Sequence, residues 1–141
     1  MKRHQFNDHW KMNKGAGTAL ESVTAQKQQE VSVTLPHDAM ILNERKKDLP
    51  YGNCVGYFPY ETVHYTKTFQ LEKANCVYLE FEGVYMNCSV FVNDCLAGQH
   101  INGYTPFLLD ISPFVRTGEN NLKVIVRNGV PSSRWYTGTG I

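Results

Sequence analysis

Hydrophobic and polar residues alternate with a period of two in several separate stretches of this chain. In the last of them, Leu122, Val124 and Val126 share one face. Such alternation is typical of a strand with one face in the core and the other in water. β-Branched and aromatic residues dominate these stretches, as a pleated surface prefers. The stretches are EVSVTL (30–35), VHYTKTFQL (63–71), VYLEFE (77–82), SVFVN (89–93) and NLKVIVRN (121–128).

Turn-forming residues separate the predicted strands. The dipeptide Asn93-Asp94 lies between SVFV and CLAG, and both residues tolerate the left-handed backbone region, which predicts a hairpin tip. Pro106 and Pro113 flank FLLDIS (107–112), so this piece is expected to be a short or edge strand. The segment RTGENN predicts another turn before the last strand.

Many short strands and no amphipathic helical stripe indicate an all-β fold. We expect an antiparallel β-sandwich of roughly eight strands, specifically a jelly roll of the galactose-binding-domain type. A chain of 141 residues fits one domain, which we place at 1–141. Residues 42–60 lack a sustained period and predict a long loop of functional importance.

Composition excludes several classes of protein. The net charge is +1 with 19% charged residues, which argues against a nucleic-acid-binding surface. No apolar run approaches the length of a membrane span, and the basic start leads into no apolar signal region. The four cysteines show no metal-site spacing and are expected to be reduced, so we expect no metal, no cofactor and a cytoplasmic location.

No catalytic constellation is visible. Glu80 and Glu82 share one strand face about 7 Å apart, whereas a retaining glycosidase needs carboxyl groups that face each other across a sugar. There is no G-x-S-x-G nucleophile motif, and the glycines of GTG (138–140) open no helix, which rejects a nucleotide fingerprint.

Side chains that suit sugar recognition are concentrated in a few segments at strand ends. Carboxylates and amides exchange hydrogen bonds with hydroxyl groups, while aromatic rings cover the apolar face of a pyranose. Core packing and loop ordering would explain the same residues. The segments are LPHD (35–38), GQHINGYTPFLLDIS (98–112) and SRWYTGTGI (133–141).

Taken in order, these segments resemble the N-terminal sugar-binding domain of glycoside hydrolase family 2, which includes β-galactosidases, β-glucuronidases and β-mannosidases. The resemblance extends from Phe6 to Ile141. The block LEFEGVYMNCSVFVNDCLAGQHINGYTPFLLDIS is its most specific part, supported by GYFPYETVHYTKTF and GENNLKVIVRN.

The resemblance implies a non-catalytic jelly-roll domain that precedes an immunoglobulin-like domain and a TIM barrel with both catalytic carboxylates. We therefore expect no hydrolysis by this chain alone. It also implies that Asp38 and Arg134, supported by His37 and Trp135, bind the carbohydrate substrate at the rim of the barrel. His100, Tyr104 and Phe107 are expected to order the domain's own loops.

The chain departs from the family pattern at several positions, which leaves the sugar open. Ala39 replaces the usual Trp after LPHD, and Arg134 stands where some members carry an Asp that reaches the sugar. A β-galactosidase-like parent enzyme is our first hypothesis. The alternatives are a free-standing carbohydrate-binding module and a structural domain that mediates subunit contacts, and homo-oligomerisation of the parent stays open.

Overall fold

The computed structural model describes residues 2–15, 30–49, 52–73, 75–129 and 137–141. Over these ranges the chain forms eight strands and two short 3-10 helices, Met40–Leu42 and Gly52–Val55. The strands are β1 (Trp10–Gly15), β2 (Val31–Val33), β3 (Glu61–Leu71), β4 (Tyr78–Phe81), β5 (Cys88–Val92), β6 (Cys95–His100), β7 (Phe107–Asp110) and β8 (Gly118–Asn128).

The strands form two antiparallel sheets that face each other. The larger sheet has the order β2-β1-β3-β8-β5-β6, and the smaller sheet pairs β4 with β7. The longest pairing joins β3 to β8 over eleven residues, from Glu61 opposite Asn128 to Leu71 opposite Gly118. This architecture confirms the antiparallel β-sandwich predicted from the alternation.

The core lies between the sheets and follows the period of two. Val63 and Tyr65 of β3, and Leu122, Val124 and Val126 of β8, are each at most 1% exposed. From the smaller sheet, Phe81 is buried while Leu79, Phe107 and Leu109 pack partly buried against the same cluster. The sheets lie close together beside Gly98, where a Cβ would be 2.6 Å from Cδ2 of Leu109.

The hairpin prediction at Asn93-Asp94 is confirmed. Asn93 and Asp94 have φ of 48° and 65°, and they join β5 to β6 through the pair Val92 and Cys95. Two consecutive positive φ values give the tight turn whose twist matches the flanking strands. The segment FLLDIS contains the four-residue strand β7, which lies in the two-stranded sheet as its flanking prolines predict.

Strand β1 was not predicted, because only Trp10 and Met12 mark its buried face.

The N-terminal segment before β1 packs against β1 and β3. The Phe6 ring packs edge-on against Trp10, with centroids 6.0 Å apart, and Lys67 Nζ lies 4.5 Å from the Phe6 centroid. Lys67 also donates to the carbonyl of Asp8, and burial lowers its pKa. A charged residue on the inner face of β3 is therefore accommodated by aromatic rings and a carbonyl.

The long loop predicted at 42–60 is confirmed as largely irregular, with one short 3-10 helix, Gly52–Val55, and part of another. No helix in the described part of the chain is long and apolar enough to cross a membrane. Cys88 is buried, whereas Cys76 and Cys95 are exposed. These three described cysteines are free thiols.

The end of the sandwich that carries the Asn93-Asp94 turn is closed by asparagine side chains. Asn120, which is fully buried, donates to the carbonyls of Arg116 and Gly118 and accepts from Arg116 N. It also accepts from Asn93 Nδ2 at 2.8 Å. We call this hydrogen-bonded cluster of Asn93, Arg116, Gly118 and Asn120 the distal knot.

Candidate functional site

A pocket of about 230 Å³ opens at the opposite end of the sandwich. Four separate segments build it: the turn after β2, the connection after β4, the connection between β6 and β7, and the last residues of the chain. Its lining comprises His37, Asp38, Gly83, Tyr85, Gly103, Tyr104 and residues 137–141. Residues from all three predicted segments line it, although these segments are far apart in the sequence: LPHD (35–38), GQHINGYTPFLLDIS (98–112) and, through its described residues 137–141, SRWYTGTGI (133–141).

Residues 137–141 join two of these segments as a short extra strand. Gly140 forms antiparallel bridges with both Asp38 and Tyr85. Gly140 N donates to Tyr85 O at 3.1 Å, and Tyr85 N donates to Gly140 O at 3.0 Å. On the other side, His37 N donates to Ile141 O and Ala39 N donates to Thr139 O, both at 2.8 Å. The LPHD turn is therefore held to the connection after β4 through Gly140.

Two glycines allow this close approach. A Cβ on Gly140 would lie 1.8 Å from the carbonyl oxygen of His37, and a Cβ on Gly138 would lie 2.9 Å from Oδ2 of Asp38. The first contact is with backbone, which has little room to move. Alternate residues of an extended chain share a face, so the GTG sequence places both glycines toward the LPHD turn.

Asp38 organises the turn and contributes a carboxylate to the pocket. Its Oδ1 accepts from Met40 N and from Thr139 N, each at 2.9 Å. The contact with Met40 is the local turn typical of aspartate, while the contact with Thr139 spans 101 positions of sequence. Since Oδ1 is committed to two backbone donors, Oδ2 is the oxygen through which Asp38 can contact a ligand.

His37 lies against a buried tyrosine. Its Nδ1 is 2.8 Å from Tyr65 Oη, and the two rings meet edge to face. Burial lowers the pKa of His37, although the Asp38 carboxylate opposes this shift. Burial, with Asp38 and Glu61 nearby, raises the pKa of Tyr65. His37 is consequently favoured in its neutral form, and Nε2 is the ring nitrogen that can contact a ligand.

Asn128, at the end of β8, holds residues 137–139 in place through its side-chain amide. It is 1% exposed, and its Nδ2 donates to Gly138 O at 2.6 Å and to Thr137 Oγ1 at 3.0 Å. Thr139 Oγ1, on a fully buried residue, lies 3.3 Å from the same nitrogen. We call Asn128 and Thr137–Thr139 the proximal knot. Asn128 was not predicted from the sequence, because its only signal is a polar residue in register with a buried strand face.

The aromatic side of the pocket consists of Tyr85 and Tyr104. Their rings meet edge to face, with centroids 5.5 Å apart at 82°. Tyr85 was also missed, because its sequence context, GVYMN, gives no signal other than family resemblance.

Of the predicted binding residues, the structure brings His37 and Asp38 together at the pocket. Arg134 and Trp135 lie outside the described residues, so their roles stay predictions. His100 stacks on Phe107, with ring centroids 4.2 Å apart, and its Nε2 contacts Thr105 Oγ1 at 2.9 Å. These contacts order the connection between β6 and β7, as expected.

The pocket has a single described carboxylate. Among its described lining residues, Asp38 is the one acidic side chain and His37 the one basic side chain, and burial lowers the pKa of His37 and so favours its neutral form. No three His, Cys, Asp or Glu side chains converge as metal ligands within the described ranges. The arrangement can bind hydroxyl groups and cover an apolar surface.

The comparisons with known proteins agree with this geometry. Residues 49–141 match the family described as glycosyl hydrolases family 2, sugar binding domain. Over 99% of its length, the chain is 37% identical to the β-galactosidase BoGH2A of Bacteroides ovatus, of which it covers 17%. It is also 37% identical to a putative β-glucuronidase of Formosa agariphila, with 77% of this chain and 11% of that protein aligned.

A solved structure of a glycosyl hydrolase family 2 member from Bacteroides cellulosilyticus superposes with a TM-score of 0.79 at 33% identity. The match covers 98% of this chain and 19% of that one. The chain therefore spans less than a fifth of the length of these relatives. The family match covers most of the chain, and the chain belongs to glycosyl hydrolase family 2 through its sugar-binding domain.

Proposed function

We propose that this chain forms the non-catalytic N-terminal domain of a retaining β-glycosidase of the β-galactosidase type. The pocket supports this proposal, because its described lining offers one carboxylate, Asp38. Retaining hydrolysis uses two carboxyl groups about 5–5.5 Å apart. The chain therefore supplies a wall of the substrate cleft, while another part of the polypeptide supplies the catalytic pair.

Charge favours a neutral sugar over an acidic one. A glucuronide carboxylate about 5 Å from Asp38 would be repelled by about 1–3 kcal/mol at effective dielectric constants between those of water and a protein surface. A galactoside carries no charge and meets no such penalty. The relatives include β-galactosidases and β-glucuronidases, and Asp38 is the observation that favours the first of these.

Arg134 and Trp135 are proposed to extend the same wall. Arg134 would donate to a sugar hydroxyl or pair with a carboxylate of the barrel, since its planar fork suits both. Trp135 would stack on a sugar or pack against the following domain. A free-standing carbohydrate-binding module is the second candidate, and it is supported if the reading frame ends after Ile141.

The first test compares the 141-residue chain with the protein translated from the complete reading frame. Both are assayed with nitrophenyl β-galactoside and nitrophenyl β-glucuronide. We expect no turnover by the chain alone and hydrolysis of the galactoside by the longer protein. Turnover by the repurified chain would contradict the assignment of catalysis to another part of the polypeptide.

The charge argument is tested with Asp38→Asn in the longer protein. The Asn carbonyl oxygen can still accept from Met40 N and Thr139 N, so the turn is retained while the charge is lost. We expect kcat/KM for the glucuronide, relative to the galactoside, to rise about 10-fold. Asp110→Asn is the matched control, because Asp110 Oδ1 also accepts a backbone N–H two residues on, at 2.9 Å, but does not line the pocket.

An unchanged ratio in Asp38→Asn would overturn the charge argument. Arg134→Gln, measured in the same assay, separates the contribution of the other charged candidate. If the unaltered protein prefers glucuronides and Arg134→Gln abolishes this preference, the β-galactosidase assignment is wrong.

A further inference from the structure

The pocket has two chemically different sides. His37 and Asp38 present polar atoms on one side, and Tyr85 and Tyr104 present rings on the other. Tyr104 is 50% exposed although it lies in a folded connection. A pyranose has the complementary character, with hydroxyl groups around its edge and C–H groups on its faces.

The position of Tyr104 is set by its neighbours. Its backbone N–H donates to Asn102 Oδ1 at 2.9 Å, which closes a local turn. Within that turn, Gly103 lies so close to the Tyr85 ring that a Cβ would come within 2.3 Å of Cδ2. The Tyr104 ring in turn packs edge to face on Tyr85.

Tyr85 itself is fixed by the strand-like pairing of its backbone with Gly140. Because Gly140 also forms a bridge with Asp38, this one glycine joins the aromatic side of the pocket to the polar side. Rings that are positioned before binding lose little conformational entropy when a ligand arrives. This arrangement suits a binding surface better than a loose surface side chain does.

Loop packing alone accounts poorly for the exposure of Tyr104. Just after this connection, Phe107 at the start of β7 stacks on Phe81 with centroids 4.8 Å apart, and Phe81 is 6% exposed. That pair serves the core. Tyr104 is instead 50% exposed and lines the pocket together with the polar residues His37 and Asp38.

We propose that Tyr104, supported by Tyr85, is a stacking surface for one pyranose ring whose hydroxyl groups bind Asp38 Oδ2 and His37 Nε2. This inference rests on the proposed function and names the face by which the sugar is held. The volume of about 230 Å³ is smaller than the roughly 300–1,000 Å³ of ordinary small-molecule sites. This volume suits a site for one pyranose ring.

The test uses the protein from the complete reading frame and measures KM and kcat separately for nitrophenyl β-galactoside. Tyr104→Ala should raise KM about 3- to 10-fold with kcat within 2-fold, because an aromatic contact made in the bound state is lost. Tyr104→Phe should leave KM within 2-fold, since stacking needs the ring and not the hydroxyl. Tyr78→Ala is the matched control, because Tyr78 is 43% exposed on β4 and does not line the pocket.

Three results would overturn the inference while leaving the proposed function intact. They are an unchanged KM in Tyr104→Ala, an equal loss in Tyr104→Phe, and an equal loss in Tyr78→Ala. Absence of glycoside hydrolysis by the unaltered longer protein would instead overturn the proposed function itself. Thermal unfolding of each variant verifies that the KM change does not follow from loss of folded protein.

Discussion

The two ends of the sandwich are both built around a buried asparagine, yet they differ in what the asparagine holds. In the distal knot, Asn120 uses both atoms of its amide on partners from the same turn and from Asn93. In the proximal knot, Asn128 donates to residues 137–139, which form one wall of the pocket.

The two ends of the sandwich also differ in their exposure to solvent. The distal knot is closed, because its central residue is fully buried and joins a hairpin tip to the start of β8. Above the proximal knot, Asp38, His37 and Tyr104 line an open pocket. A satisfied amide stabilises each end, but the amide of the proximal knot also holds residues that line the pocket.

The largest expected effect comes from Gly140→Ala. The added Cβ would lie 1.8 Å from the His37 carbonyl oxygen, so the strand-like contact between the LPHD turn and Gly140 must open. We expect a loss of about 3 kcal/mol or more in the free energy of unfolding, measured by urea denaturation of the 141-residue chain.

Gly129→Ala serves as the control for that experiment. Among the described residues, apart from its chain neighbours, none has an atom within 4 Å of a Cβ built on Gly129, so the free energy of unfolding of this variant should change by less than about 0.5 kcal/mol. Equal stability of the two variants would show that Gly140 does not hold the proximal end together.

The comparison of the ends also shows what the sequence could predict. The paired strands β3 and β8 were predicted because Val63, Tyr65, Leu122 and Val124 alternate with polar residues. Strand β1 was not, since Trp10 and Met12 are too few to reveal a period. Local patterns therefore predict strands that are long enough to repeat them.

The pocket residues show even more clearly what local sequence patterns leave undetected. His37 and Asp38 were found through the family resemblance of LPHD. The hydrogen bond from Thr139 N to Asp38 spans 101 positions, and no local pattern reports a partner so far away. Asn128, Tyr85 and Gly140 owe their roles to tertiary packing, so only the structure identifies them.

Two substitutions test whether the proximal knot supports the pocket and the distal knot does not. Asn120→Ala and Asn128→Ala each leave buried backbone groups without a partner, and each should lower the free energy of unfolding by about 2–3 kcal/mol. In the protein from the complete reading frame, Asn128→Ala should also lower kcat/KM, whereas Asn120→Ala should not at temperatures where both are folded. Equal kinetic losses in the two variants would mean that the proximal knot has no special connection to the pocket.

The smallest expected effect concerns pH. Burial lowers the pKa of His37, so the folded state binds a proton less readily than the unfolded state, whose His pKa is about 6.5. The stabilising contribution is fully present above that value and is lost as pH falls toward the lowered pKa of the folded state. His64, on the outer face of β3, follows the same sign, because burial lowers its pKa and the nearby Lys123 and Arg127 add to the effect.

Urea denaturation between about pH 8 and pH 5 should therefore show decreasing stability, and His37→Gln and His64→Gln should each reduce the slope. The hydrogen bond to Tyr65 survives protonation, because Nδ1–H of a charged imidazole can donate to the tyrosine oxygen. The part of the loss that is due to His37 thus comes from the cost of burying a charge at the pocket. If His37→Gln keeps the slope of the unaltered chain while His64→Gln reduces it, His37 is solvated well enough in the open pocket to titrate as it does when unfolded.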